Sequence, residues 1–151
     1  MLKQLLTNNN IEPARVIKFD SSKIYHFDLS KNNKELDRID LNDEQQFTEY
    51  IQGVLDKNEC TVGIGGYEEE RSLYSRSTLF SDEEPRTIHL GVDIWMKAGT
   101  SVYSPLDATV HSFANHRVHG DYGPVIILQH EIEDQVFYTL YGHLSTMSLH
   151  G

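Results

Sequence analysis

The residues best suited to chemistry are His89 and Asp93, four apart around Gly91 in the stretch TIHLGVDIW that runs from Thr87 to Trp95. A neutral imidazole and a carboxylate suit zinc, which takes nitrogen and oxygen ligands at about 2 Å. In a straight strand two residues four apart stand about 13 Å from each other, at about 3.3 Å per residue, too far to converge on one ion. The chain must therefore bend between them, and Gly91, lacking a Cβ, is where a bend is cheapest. Ile88, Leu90, Val92 and Ile94 alternate with the pair and are expected to anchor the opposite face in the core, leaving His89 and Asp93 toward a cleft. On these residues alone two readings stay open: a metal pair, or a surface histidine and aspartate beside an edge glycine.

The other histidines read as less chemical. His116 and His119 in HRVH have a spacing that binds metal on a helix, but the sequence around them predicts a loop between strands. His111 follows Val110 on a strand and reads as a surface residue, as does His26. His150 stands at the terminus.

Positioning such a pair requires a folded domain, and the composition supplies one. The chain has 151 residues, 38% of them hydrophobic, enough for a core. Its formal charge of -10, from 13 Lys+Arg against 23 Asp+Glu, opposes binding to nucleic acid or to anionic membranes. A single cysteine, Cys60, makes no internal disulfide, and neither a signal peptide nor a membrane-spanning run is visible. The expected location is the cytoplasm.

Residues 1–80 read as a small α+β lobe without chemistry. ARVIKF and KIYHFDL predict strands, with Tyr25, Phe27 and Leu29 on one face and His26 and Asp28 on the other. NDEQQFTEYIQGVLDK predicts the lobe's one helix, capped by Asn42 with Gln45 three residues on and closed by Lys57; Phe47, Ile51, Val54 and Leu55 form its apolar face. The polar stretch ending at Pro85 reads as a connection. Residues 81–151 then carry β-rich runs, TIHLGVDIW, TSVYSPLDATVHSF, GPVIILQHE and VFYTLYGHLS, separated by turn residues. The fold class is mainly β, α+β overall, with an antiparallel sandwich or barrel in the second part.

His89, Gly91 and Asp93, followed by AGTSVYSPLDATV, DYGPVIILQHE and YTLYGHLS, resemble in order and spacing the lysostaphin/LytM-like zinc endopeptidases. The likeness runs from Arg86 to Ser145 and implies a lysostaphin-like barrel-sandwich hybrid fold (the duplicated hybrid motif). It implies that His89 and Asp93 are two of three protein ligands to zinc. It implies that His143, in LYGHL, stands beside the metal and stabilises the transition state or moves protons. Gly99 and Pro105 match turn positions, and His130 matches a histidine that is usually structural. The implied reaction is hydrolysis of a peptide or amide bond, in the family often of peptidoglycan cross-bridges with glycine near the cut.

The family completes its site with a His-x-His motif on a later strand. This chain stops at His150-Gly151, so two readings stand: an incomplete, inactive domain or, as the favoured expectation, a fragment of a longer, multi-domain chain, with an exposed sheet edge that a second molecule would cover to make a dimer. RTIHLGVDIW, SPLDATVHSF and FYTLYGHLS look most like the LytM-like domain of long cytosolic chains, which implies a small cytosolic peptide or amide as substrate. A LytM-like module that folds without cutting, as a binding or regulatory domain, is the alternative. MKAGTSVYSPLDATV is also similar in register to a biotinyl/lipoyl carrier hairpin, which would make Lys97 the modified residue and leave His89, Asp93 and His143 unexplained.

Overall fold

The structure, a computed structural model, describes residues 1–71, 88–117 and 121–150. The charged connection expected before Pro85, and His119, lie outside the described residues. The chain is mainly β and forms two compact units, residues 19–100 and residues 1–18 with 101–151.

In the unit of residues 19–100, strand β1 (Ile24–Phe27), helix α2 (Glu44–Lys57) and strand β2 (Val62–Gly65) follow one another, and β1 pairs parallel with β2. The intervening helix is the crossover that a parallel pair requires. Strand β5 (Ile94–Trp95) adds antiparallel on the other side of β2. Phe27 and Leu29 turn inward and His26 outward, as the alternation predicts. They join Leu36, Ile51 and Leu55 in one buried cluster, with Phe47, Val54 and Trp95 packed against it. Glycines in β2 let the rings approach: a Cβ on Gly63 would stand 2.5 Å from the Phe27 ring, and one on Gly65 3.1 Å from Trp95.

The helix cap lies one residue later than Asn42. The Asp43 carboxylate accepts from the Gln45 and Gln46 backbone N–H groups, satisfying donors the first turn leaves open. Asn42 precedes the helix, its backbone N–H donating to the Asp40 carboxylate in a turn of its own.

In the unit of residues 1–18 and 101–151, β6 (Thr109–His116), β7 (Gly123–Ile132) and β8 (Gln135–Tyr141) form an antiparallel meander. The ladder shifts register between Val110 and Ser112, so His111 sits at an irregularity rather than in regular alternation, and it is exposed. A short helix α1 (Leu2–Asn8), not expected from the sequence, brings the α-helices among the described residues to two rather than one. ARVIKF is not a strand: it bends at Val16 and Ile17, Ala14 N–H donates to Pro105 O, and Val16 O accepts from Tyr103 N–H. Among the described residues no helix is long and apolar enough to cross a membrane.

Candidate metal pair

TIHLGVDIW does bend at Gly91. From residue 88 on, its strand character is confined to β4 (Ile88–His89) and β5, with residues 90–93 irregular between them. The two ends join different sheets: β4 pairs with β3 (Glu69–Glu70), β5 with β2. Switching sheets is what folds the segment back on itself. It also reverses the expected facing. Ile88, Leu90, Val92 and Ile94 are 55%, 70%, 56% and 38% exposed, whereas Trp95 packs on Phe27 and Phe47. Alternation marks two faces but not which one is inward, and the large ring of Trp95 takes the inside, bringing His89 and Asp93 with it.

The pair converges as the bend predicts. His89 Nε2 lies 3.6 Å from Asp93 Oδ1, and the side chains are 18% and 32% exposed. Two donors of a tetrahedral zinc site, each about 2.1 Å from the ion, stand about 3.4 Å apart. A Cβ on Gly91 would lie 3.2 Å from His89 Nε2, so a larger residue there would press on the imidazole nitrogen that faces Asp93. The backbone of Asp93 is fixed by its carbonyl, which accepts from Gly65 N–H at 2.9 Å.

Sequence reasoning missed two residues of this cluster, both in the lobe read as lacking chemistry. Glu69 stands directly opposite His89 in the β3–β4 ladder. Arg71, 3% exposed, donates Nε–H to Glu69 Oε1 at 2.7 Å and Nη1–H to Asp93 Oδ2. Burial pushes the Arg71 guanidinium toward losing its proton, but hydrogen bonds and charge from Asp93 and Glu69 outweigh this and hold it above its ordinary value. Glu69 Oε2 accepts from Leu29 N–H at 3.1 Å, which ties the cluster to the chain just beyond β1. The signal in the sequence was the run EEER, a charge reversal next to the glycine-rich strand.

His143 lies in the unit of residues 1–18 and 101–151. It is exposed, adopts the left-handed backbone at φ 55°, and its N–H donates to Tyr122 O at 2.7 Å. Gly142 permits this turn: a Cβ there would meet the Tyr122 ring at 3.0 Å. His130 is the structural histidine the motif implied. It is 1% exposed, with Nδ1 3.1 Å from Asp107 O, Nε2 2.7 Å from Thr139 Oγ1, and its ring stacked on Phe137. His116 ends strand β6 instead of lying in a loop, with Nδ1 3.4 Å from an Asp121 oxygen. Lys97 is exposed, and its carbonyl accepts from Thr100.

Among the described residues, no three His, Cys, Asp or Glu side chains already converge on one point. The imidazole and carboxylate fit two positions of a zinc site by donor type and separation, while the guanidinium occupies the second oxygen of the carboxylate. Residues 87–150 match the model of peptidase family M23. No curated protein and no solved structure matches the chain. The segment from residue 87 to residue 150 is a LytM/lysostaphin-like domain of peptidase family M23.

Proposed function

We propose that this domain is of the zinc-dependent endopeptidase type, cleaving a peptide or amide bond, with His89 and Asp93 as metal ligands and His143 as the residue that handles the proton. The observation that carries the reading is the 3.6 Å approach of His89 Nε2 to Asp93 Oδ1 inside the segment that matches the peptidase family. Zinc, when bound, would supply Lewis-acid chemistry: it activates water and polarises the scissile carbonyl. Asp93 and His89 would hold the ion through Oδ1 and Nε2. His143 would donate a hydrogen bond to the developing oxyanion or carry a proton to the leaving amine.

The test is turnover of a glycine-rich peptide by the zinc-supplemented chain and by His143→Ala. Turnover is expected to fall at least about 100-fold in the variant, within the range of general acid–base catalysis, while zinc binding is retained. Equal loss of zinc binding and turnover would make His143 a ligand instead.

A second reading has an observation of its own. Arg71 on Asp93 removes one carboxylate oxygen from metal binding, which favours a LytM-like module that folds and binds without cutting. Absence of turnover on any peptide at saturating zinc would select it.

A further inference from the structure

Asp93 divides its carboxylate between two kinds of partner: Oδ1 faces His89 and Oδ2 accepts from Arg71. The guanidinium is held from two sides, because Glu69 takes Nε–H while Asp93 takes Nη1–H. It therefore does not make the bidentate fork on one carboxylate that arginine favours. Its remaining nitrogen, Nη2, is buried without a hydrogen-bond partner among the described residues, against Gly65, where a Cβ would stand 3.0 Å away. An arginine that is 3% exposed and leaves one nitrogen unmet is held by charge rather than by complete hydrogen bonding.

A dication and a guanidinium compete for the same carboxylate, and in a poorly solvated site they also repel each other. Glu69 gives the arginine somewhere to stay. It is anchored independently by Leu29 N–H, and the next residue of its strand, Glu70, pairs with Lys31 at 2.7 Å and accepts from Lys31 N–H at 2.9 Å.

We propose that Arg71 is a built-in cation that occupies Asp93 when no metal is bound, and that zinc binds by displacing it, with Glu69 retaining the released guanidinium. The proposal rests on the reading of His89 and Asp93 as the metal pair. It makes the lobe before the peptidase segment a regulator of metal affinity, because the segment supplies the ligands and the lobe supplies the competitor.

The experiment is calorimetric titration of zinc chloride into the full chain, Arg71→Met, and the double variant Arg71→Met/His89→Ala. Arg71→Met is expected to bind zinc at least about tenfold more tightly than the unsubstituted chain, and the double variant to lose that binding. Equal affinities, both dependent on His89, overturn the displacement and leave the metal pair standing. Weaker binding by Arg71→Met makes Arg71 an orienting residue and also overturns it. Binding that survives His89→Ala, or no binding by any form, overturns the metal pair and the displacement together. Should Arg71→Met melt out, Arg71→Lys keeps the charge without the two-sided grip and is expected to bind more tightly than the unsubstituted chain. In the unsubstituted chain the Arg71 Nη–H resonances should shift on adding zinc, because Nη1–H leaves Asp93 while Nε–H stays on Glu69, and Nη–H resonances that stay in place contradict displacement.

Discussion

Two histidines of this chain are both largely withdrawn from solvent, and they differ in what surrounds them. His130 sits in the middle strand of a meander, both ring nitrogens engaged by neutral oxygens and one face covered by Phe137. His89 sits at the end of a two-residue strand beside a carboxylate, which is itself held by a buried arginine. The first arrangement consumes the chemistry of the imidazole, whereas the second keeps a nitrogen and a carboxylate oxygen aimed at each other. A long, regular ladder favours complete satisfaction, and a bent segment shared between two sheets brings unlike groups together.

That contrast can be broken by substitution, beginning where the largest loss of stability is expected. His130→Ala should cost about 3 kcal/mol in denaturant unfolding, from the cavity and from polar partners left unmet. His89→Ala should cost under about 1 kcal/mol, and equal costs would erase the distinction between a structural and a chemical histidine. Trp95→Ala should cost about 2–3 kcal/mol, because its ring packs on Phe27 and Phe47. Val92→Ser, 56% exposed, should change stability by less than about 0.5 kcal/mol. The reverse pattern would return Val92 to the core. Arg71→Met should cost about 2 kcal/mol through the charged hydrogen bonds it removes, and a variant as stable as the unsubstituted chain would show that the cluster contributes nothing to folding.

The smallest effect concerns pH. Hydrogen bonds from the Gln46 side chain and backbone N–H, followed by Gln45 N–H, hold the Asp43 carboxyl below its ordinary value of 3.8. A lowered folded-state value means the contribution is fully present above the unfolded value and is lost as pH falls through the folded one. Asp43→Asn keeps a capping oxygen but should flatten the acid limb of the stability curve below about pH 4. An unchanged acid limb would assign that limb to other carboxylates.

The parts of the molecule that local rules govern were legible in the sequence. Helix α2 follows from its periodicity, and the bend at Gly91 follows from the distance that His89 and Asp93 must close. The cap at Asp43 rather than Asn42 was ambiguous because both residue types accept hydrogen bonds from a first turn. The facing of Ile88, Leu90, Val92 and Ile94 was not legible, since an alternating pattern is symmetric until something decides which side packs. Trp95, one residue beyond Ile94, decides it. Arg71 and Glu69 were illegible as site residues for a different reason: Arg71 meets Asp93 across 22 residues of sequence, and no local pattern encodes a contact at that range. The family resemblance did not supply them either, because they lie before the segment that carries it.

His89 and Asp93 must act together on one metal ion if this segment is a peptidase of the zinc type. Zinc titration of the unsubstituted chain against His89→Ala and Asp93→Ala tests this directly. One saturable site in the unsubstituted chain, lost in both variants, is the predicted result. Undiminished zinc binding in either variant would contradict the pair and, with it, the peptidase-type reading of this segment.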